Sequence, residues 1–131
     1  MNKRTDGVLI LIVEDNTINL ALAKALVQRI AVGCRVATAR NGEEAMDAFT
    51  SERPVLIYMD LQMPIKDGFE AADEIRQLEK ADGTRIPIIA LTGGSADGER
   101  DNCIKAGMDD FLLKPIGPDD LRISLERWLP E

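Results

Sequence analysis

Apolar residues along this chain fall into two alternating patterns. Five short runs, at residues 8–13, 34–38, 55–59, 87–91 and 110–113, are apolar with few interruptions, as expected of parallel strands buried on both faces. Between and after them come five stretches with helical spacing. The first starts near Asn16 and Thr17, whose side chains can cap it, and puts Ile18, Leu22, Ala25 and Leu26 on a predicted core face. The second follows Asn41 and Gly42 and carries Ala45, Met46 and Phe49. The third follows Asp67 and Gly68 and carries Phe69, Ala72, Ile75 and Leu78. The fourth, at residues 96–106, is interrupted by Gly98 and preceded by Gly93 and Gly94, which lower helix propensity and predict a mobile entry. The fifth starts at Pro118, a favoured first helical position, and shows Leu121, Leu125, Trp128 and Leu129. A (βα)5 alternation predicts an α/β fold: a doubly wound, parallel five-stranded sheet with right-handed crossovers and helices on both faces. Residues 1–7 read as a flexible lead-in and 8–130 as one domain, a size that 131 residues suit.

The runs end in chemistry. Asp60 closes the third, Glu14 and Asp15 the first, Thr92 the fourth and Lys114 the fifth. Open α/β sheets bind ligands at the carboxyl ends of their strands. Adjacent acids after a strand can simply cap the next helix. Three converging acids, however, repel one another strongly without a cation. Oxygen ligands of this kind suit Mg2+, which takes one or two carboxylates and keeps several waters. An aspartate can then act as a nucleophile that forms an aspartyl-phosphate. Lys114 fits as the cation opposite the metal and Thr92 as a hydroxyl donor to a phosphoryl oxygen. Taken singly, a strand-end Lys is a common surface group and a strand-end Thr a common turn residue.

Composition narrows the function further. A net charge of -7 argues against a nucleic-acid surface, which needs clustered Lys and Arg. The two cysteines, Cys34 and Cys103, read as ordinary thiols of a reducing compartment and not as a disulfide framework. The basic start Met1-Asn2-Lys3-Arg4 is followed by an apolar stretch too short for a signal peptide or membrane span. A cytoplasmic domain with no membrane contact of its own is expected.

Read end to end, ILIVEDN, YMDLQMP, KDG, PIIALT and GMDDFLLKPI resemble the receiver domain of two-component response regulators, over essentially the whole chain. The wording is most similar to receivers of hybrid histidine kinases and phosphorelays. The resemblance implies the flavodoxin-like strand order 2-1-3-4-5. It implies that Glu14 and Asp15 are the metal-binding pair, with Asp15 the direct ligand, Asp60 the phosphoacceptor, and Gln62 the donor of a backbone carbonyl to Mg2+. Thr92 then corresponds to the switch hydroxyl, Lys114 to the phosphate-binding lysine and Phe111 to the switch aromatic. The implied partner is a histidine kinase or histidine phosphotransfer domain, docking around Asn16, Ile18, Asn19, Pro115 and Ile116. Gly93, Gly94, Lys66, Val55 and Tyr58 depart from the family's common residues without removing a chemical group from the site.

The resemblance implies a signalling module that promotes its own phosphorylation and dephosphorylation without a turnover substrate, alone or within a hybrid histidine kinase. One alternative is a Mg2+-dependent phosphohydrolase, whose usual second acid two residues after the nucleophile is here Gln62. Another is a phosphorylation-independent interaction module, which would be marked by a lost acid or lysine.

Overall fold

The computed structural model describes residues 5–63, 66–93 and 96–130, and the side chains of 96–100 are left aside. The strands are β1 (Leu9–Val13), β2 (Arg35–Ala39), β3 (Leu56–Asp60), β4 (Ile88–Thr92) and β5 (Asp110–Leu113). The helices are α1 (Thr17–Ile30), α2 (Gly42–Glu52), α3 (Gly68–Asp82), α4 (Ala96–Lys105) and α5 (Pro118–Trp128). All pairings are parallel and the order is β2-β1-β3-β4-β5. This is the flavodoxin-like order expected from the sequence. Four strands begin one residue later than the apolar runs. The same shift places Asp60 and Thr92 as the last residues of their strands.

The sheet separates two cores. Leu11, Val13, Ile57, Met59 and Ala90 face Phe49, Ala72 and Ile75 from α2 and α3. Ile10, Ile12, Tyr58 and Leu91 face Val27 from α1 and Leu121 and Leu125 from α5. Alternate residues of each central strand thus serve opposite faces, the period-two rule applied to a sheet covered on both sides. Tyr58 fits because its hydroxyl lies 3.0 Å from Ser124 Oγ on α5. Burial pushes the Tyr58 phenol above its ordinary pKa, so it stays a neutral hydrogen-bonding group.

Helix starts follow the capping residues. Asn16, Asn41 and Asp67 each accept a hydrogen bond from the backbone N–H three residues on, at 2.9, 2.8 and 2.9 Å.

Two predicted helix faces are corrected. On α1, Ile18 is 70% and Leu22 65% exposed, and Ala25 is exposed too. The helix instead turns Leu20, Ala23, Leu26, Val27 and Ile30 to the sheet. On α3, Leu78 is exposed, and Arg76 and Glu79 take the buried positions with Ala72 and Ile75.

At the start of the described chain, Gly7 N–H donates to the Gly33 carbonyl at 2.9 Å, and the Thr5 hydroxyl donates to the Val32 carbonyl. Residues 5–7 of the predicted lead-in are therefore tied to the loop after α1. Residues 1–4 lie outside the described residues. Neither cysteine is in a disulfide. No helix among the described residues is long and apolar enough to cross a membrane.

Candidate functional site

The parallel ladders do not stop at the strand ends, and this fixes the site. Glu14 N–H continues from β1 to the Ala39 carbonyl at 3.0 Å, and Lys114 N–H continues from β5 to the Thr92 carbonyl at 2.7 Å. Both residues are thereby held in line with the sheet, next to Asp60. Gly68 is needed at the opposite wall. A Cβ there would lie 2.3 Å from the Asp60 carbonyl oxygen, so only glycine lets α3 begin against the strand end.

Asp60 and Glu14 are buried, 4% and 2% exposed, while Asp15 is the more open of the three acids. Carboxylate oxygens of all three lie within 4.8 Å of one another. Lys114 Nζ reaches Glu14 Oε1 at 2.7 Å and Asp60 Oδ1 at 3.1 Å. Asn16 N–H donates to Glu14 Oε2 at 3.1 Å, and Gln62 N–H donates to Asp60 Oδ1 at 3.3 Å. A cavity of about 490 Å³ opens over this group, and Gln62, buried Thr92 and Lys114 line it with the acids.

The electrostatics divide the two buried acids. Burial alone would raise Glu14, but the Lys114 ammonium and the Asn16 N–H overcome it and hold Glu14 below its ordinary value. Asp60 goes the other way. Burial, with Glu14 beside it, pushes Asp60 up to about 6 despite Lys114. Burial works against the charge on Lys114, yet its bonds to Glu14 and Asp60 raise its pKa overall. Among the described residues Lys114 alone is ion-paired with the buried acids, and the carboxyl at the centre carries the cost. This hard-oxygen set, short of positive charge, fits a small divalent cation such as Mg2+.

Every residue assigned from the sequence to metal or phosphoryl chemistry lines this cavity: Glu14, Asp15, Asp60, Gln62, Thr92 and Lys114. Phe111 does not. It is half-buried against the core that contains Ala90, Cys103 and Met108. The register pairs it with Ala90, two residues before Thr92 on the same face of β4. On that face of β4 the residue beside Phe111 is thus a small one, and the next is Thr92. Of the departures, Lys66 is ion-paired with Glu74 on α3, and its carbonyl accepts from Gly42 N–H at 3.1 Å. Gly93 is exposed, and Gly94 lies outside the described residues.

The profile of the response regulator receiver domain matches residues 10–126. The chain belongs to this family. It is a receiver domain of two-component signalling, and its relatives include parts of hybrid histidine kinases. The chain is 38% identical over 128 residues to hybrid signal transduction histidine kinase G of Dictyostelium discoideum, covering 96% of this chain and 4% of the relative. It is 38% identical over 120 residues to the sensor histidine kinase GacS of Pseudomonas protegens, covering 91% and 13%. The receiver therefore spans only a small part of these curated relatives. Among solved structures it resembles the receiver domain of a Pseudomonas aeruginosa sensor histidine kinase that holds magnesium in its active-site cleft. There the identity is 39%, the TM-score 0.82, and the coverage 93% of this chain and 97% of that one. It also resembles a chain in the co-crystal structure of the Saccharomyces cerevisiae histidine phosphotransfer protein Ypd1 and the receiver domain of Ssk1. That match has 31% identity, a TM-score of 0.87, and coverage of 96% and 91%.

Proposed function

We propose that residues 8–130 form a cytoplasmic phosphoacceptor unit in which Asp60 takes a phosphoryl group from a partner's phosphohistidine. The observation that carries this is a buried carboxylate at a strand end, bonded to Lys114 and within reach of two further acids. An Asp60 oxygen forms the new O–P bond as the P–N bond breaks, and its electron pair returns to the imidazole nitrogen. Glu14, Asp15, Asp60 and the Gln62 carbonyl would hold Mg2+, which supplies charge neutralisation for the transferring phosphoryl oxygens. Lys114 then exchanges a carboxylate for a phosphoryl oxygen, and Thr92 supplies a hydroxyl to another. Movement of Thr92 toward the phosphoryl group shifts the packing above Ala90, the level at which Phe111 sits, and so biases two states of the domain. The unit promotes its own phosphorylation and dephosphorylation. Gln62 favours this reading over a phosphohydrolase, because an amide cannot act as a general acid or base.

The partner reading has a surface to match. A groove of about 870 Å³ runs from Glu14 and Lys114 between α1 and the start of α5, over Leu22, Leu26, Ile116 and Pro118. The exposure of Ile18 and Leu22 leaves apolar side chains on this helix for a partner to cover. A histidine kinase or histidine phosphotransfer domain can lay a helix here and bring its imidazole to Asp60, without contact to nucleic acid or membrane.

Incubation with Mg2+ and acetyl phosphate is expected to add one base-labile phosphoryl group, detected by intact mass and blocked by EDTA. Stable labelling at a hydroxyl would reject the reading. Ile18→Ala and Ile116→Ala should still be labelled by acetyl phosphate. Transfer from a phosphorylated histidine partner should slow by roughly 5–30-fold, the equivalent of about 1–2 kcal/mol per apolar anchor. If both variants accept from the partner at the unaltered rate, docking occurs on another face.

A further inference from the structure

Arg40, at the turn between β2 and α2, reaches the acid cluster from outside the cavity. Its Nη2 donates to the backbone carbonyl of Asp15 at 3.2 Å. Its own N–H donates to Glu44 Oε1 at 2.9 Å, and Asn41 beside it caps α2. The turn is therefore fixed at both ends, and the guanidinium is held against the backbone of the acid pair. Among the described residues no carboxylate forms an ion pair with it, whereas Arg53, Arg76 and Arg85 each pair with an acid. The Glu44 carboxylate is bonded to the Arg40 N–H and not to the guanidinium. Three carboxylates and the Lys114 ammonium make the cluster doubly negative, and exposed Arg40 adds a positive charge at its rim.

We propose that Arg40 is a resident cation that sets the Mg2+ affinity of this receiver. It lessens the mutual repulsion of Glu14, Asp15 and Asp60 in the metal-free state and opposes the arrival of a second positive charge. Both effects loosen metal binding, so the site fills at a higher free Mg2+ concentration than the acids alone would dictate. This inference rests on the reading of the three acids as metal ligands. Arg40 itself is a charge-setting residue and not a metal ligand, since its contact is with the Asp15 backbone carbonyl.

The two roles of that contact are separable. A brace that holds Asp15 in place would strengthen metal binding, and its removal would weaken it. A resident charge does the opposite, and its effect is screened by salt, because the Debye length falls to about 3 Å at 1 M. The test is a Mg2+ titration of the 131-residue chain, read by calorimetry and by amide NMR shifts around Asp60. At low ionic strength Arg40→Gln, which keeps a hydrogen-bond donor, is expected to bind Mg2+ roughly three- to tenfold more tightly. Arg40→Glu should bind more tightly still, and Arg40→Lys should stay near the parent. In 1 M salt the series should converge. Unchanged or weaker binding by Arg40→Gln would overturn the proposal, as would a gain that persists in high salt. Absence of Mg2+ binding by the parent chain would remove the metal reading itself, a result distinct from either.

Discussion

Asp60→Asn is expected to abolish phosphorylation and, at the same time, to make the metal-free domain more stable. The first effect is chemical. An amide cannot form the acyl phosphate, so intact mass after Mg2+ and acetyl phosphate should show no added group. The second follows from the site's electrostatics. Burial and Glu14 push Asp60 up to about 6 from an ordinary value of 3.8, so folding disfavours its charged form. Its contribution to stability is fully present below 3.8 and is lost as pH rises through about 6. At neutral pH the folded domain carries that cost, and the neutral amide removes it. After discounting for the solvent that enters the cavity, the gain should be about 1–2 kcal/mol. It should shrink towards pH 4 and also when Mg2+ is added, because the cation compensates the parent carboxylate. Thermal unfolding in EDTA at pH 7 and pH 4, and again with Mg2+, measures all three changes. A variant less stable than the parent in EDTA at pH 7 would show that Asp60 is compensated without metal. Undiminished labelling would place the nucleophile elsewhere.

The sequence carried the site because each site residue interrupts a hydrophobic run. Buried parallel strands are almost continuously apolar, so Asp60 and Thr92 stand out as the points where the run ends. The capping residues Asn16, Asn41 and Asp67 marked the helix starts by the same kind of local chemistry. The faces of α1 were not legible. Ile18, Leu20, Leu22, Ala23, Ala25, Leu26, Val27 and Ile30 surround most of the helix, so spacing alone cannot choose which stripe meets the sheet. What decides is packing against the sheet and α5, which the local spacing of α1 does not record. Arg40 was silent for a related reason. A charged residue in a turn reads as solvated, and its contact with Asp15 bridges 25 positions.

Arg76 is the strongest case of a residue whose role is invisible in the local pattern, and its loss should cost the most stability. On α3 it occupies a helical position that reads as solvent-facing, yet its side chain is only 10% exposed. Its Nε donates to the Gly107 carbonyl at 2.8 Å, and Nη1 donates to Glu79 Oε1 at 2.6 Å and to the Ile86 carbonyl at 2.7 Å. Nη2 donates to Asp109 Oδ2 at 2.8 Å. Glu79 also accepts from Ile86 N–H at 2.7 Å, and Asp109 from Ile88 N–H at 2.9 Å. The guanidinium therefore ties α3 to the starts of β4 and β5. Gly107, at φ 96°, makes room for it, since a Cβ there would lie 2.8 Å from Arg76 Cγ. Arg76→Ala leaves Glu79, 3% exposed, as a buried charge without an ion-pair partner among the described residues. Asp109 keeps Arg85 at 2.7 Å and is less affected. Breaking one partner of a buried pair typically costs about 3–5 kcal/mol. Arg76→Met with Glu79→Met should be much less damaging than the sum of the single changes, because it removes the uncompensated charge as well. Urea denaturation of the parent, the two single Met variants and the double measures the coupling, and a loss below about 1 kcal/mol in Arg76→Ala, measured alongside them, would mean that water already satisfies Glu79. The network lies at the amino ends of β4 and β5, while Asp60, Thr92 and Lys114 stand at the carboxyl ends. Arg76→Ala that is still folded at low temperature should therefore accept a phosphoryl group at nearly the parent rate. A fall in labelling that outpaces the loss of folded protein would mean that the base of the sheet, and not only its top, takes part in the switch.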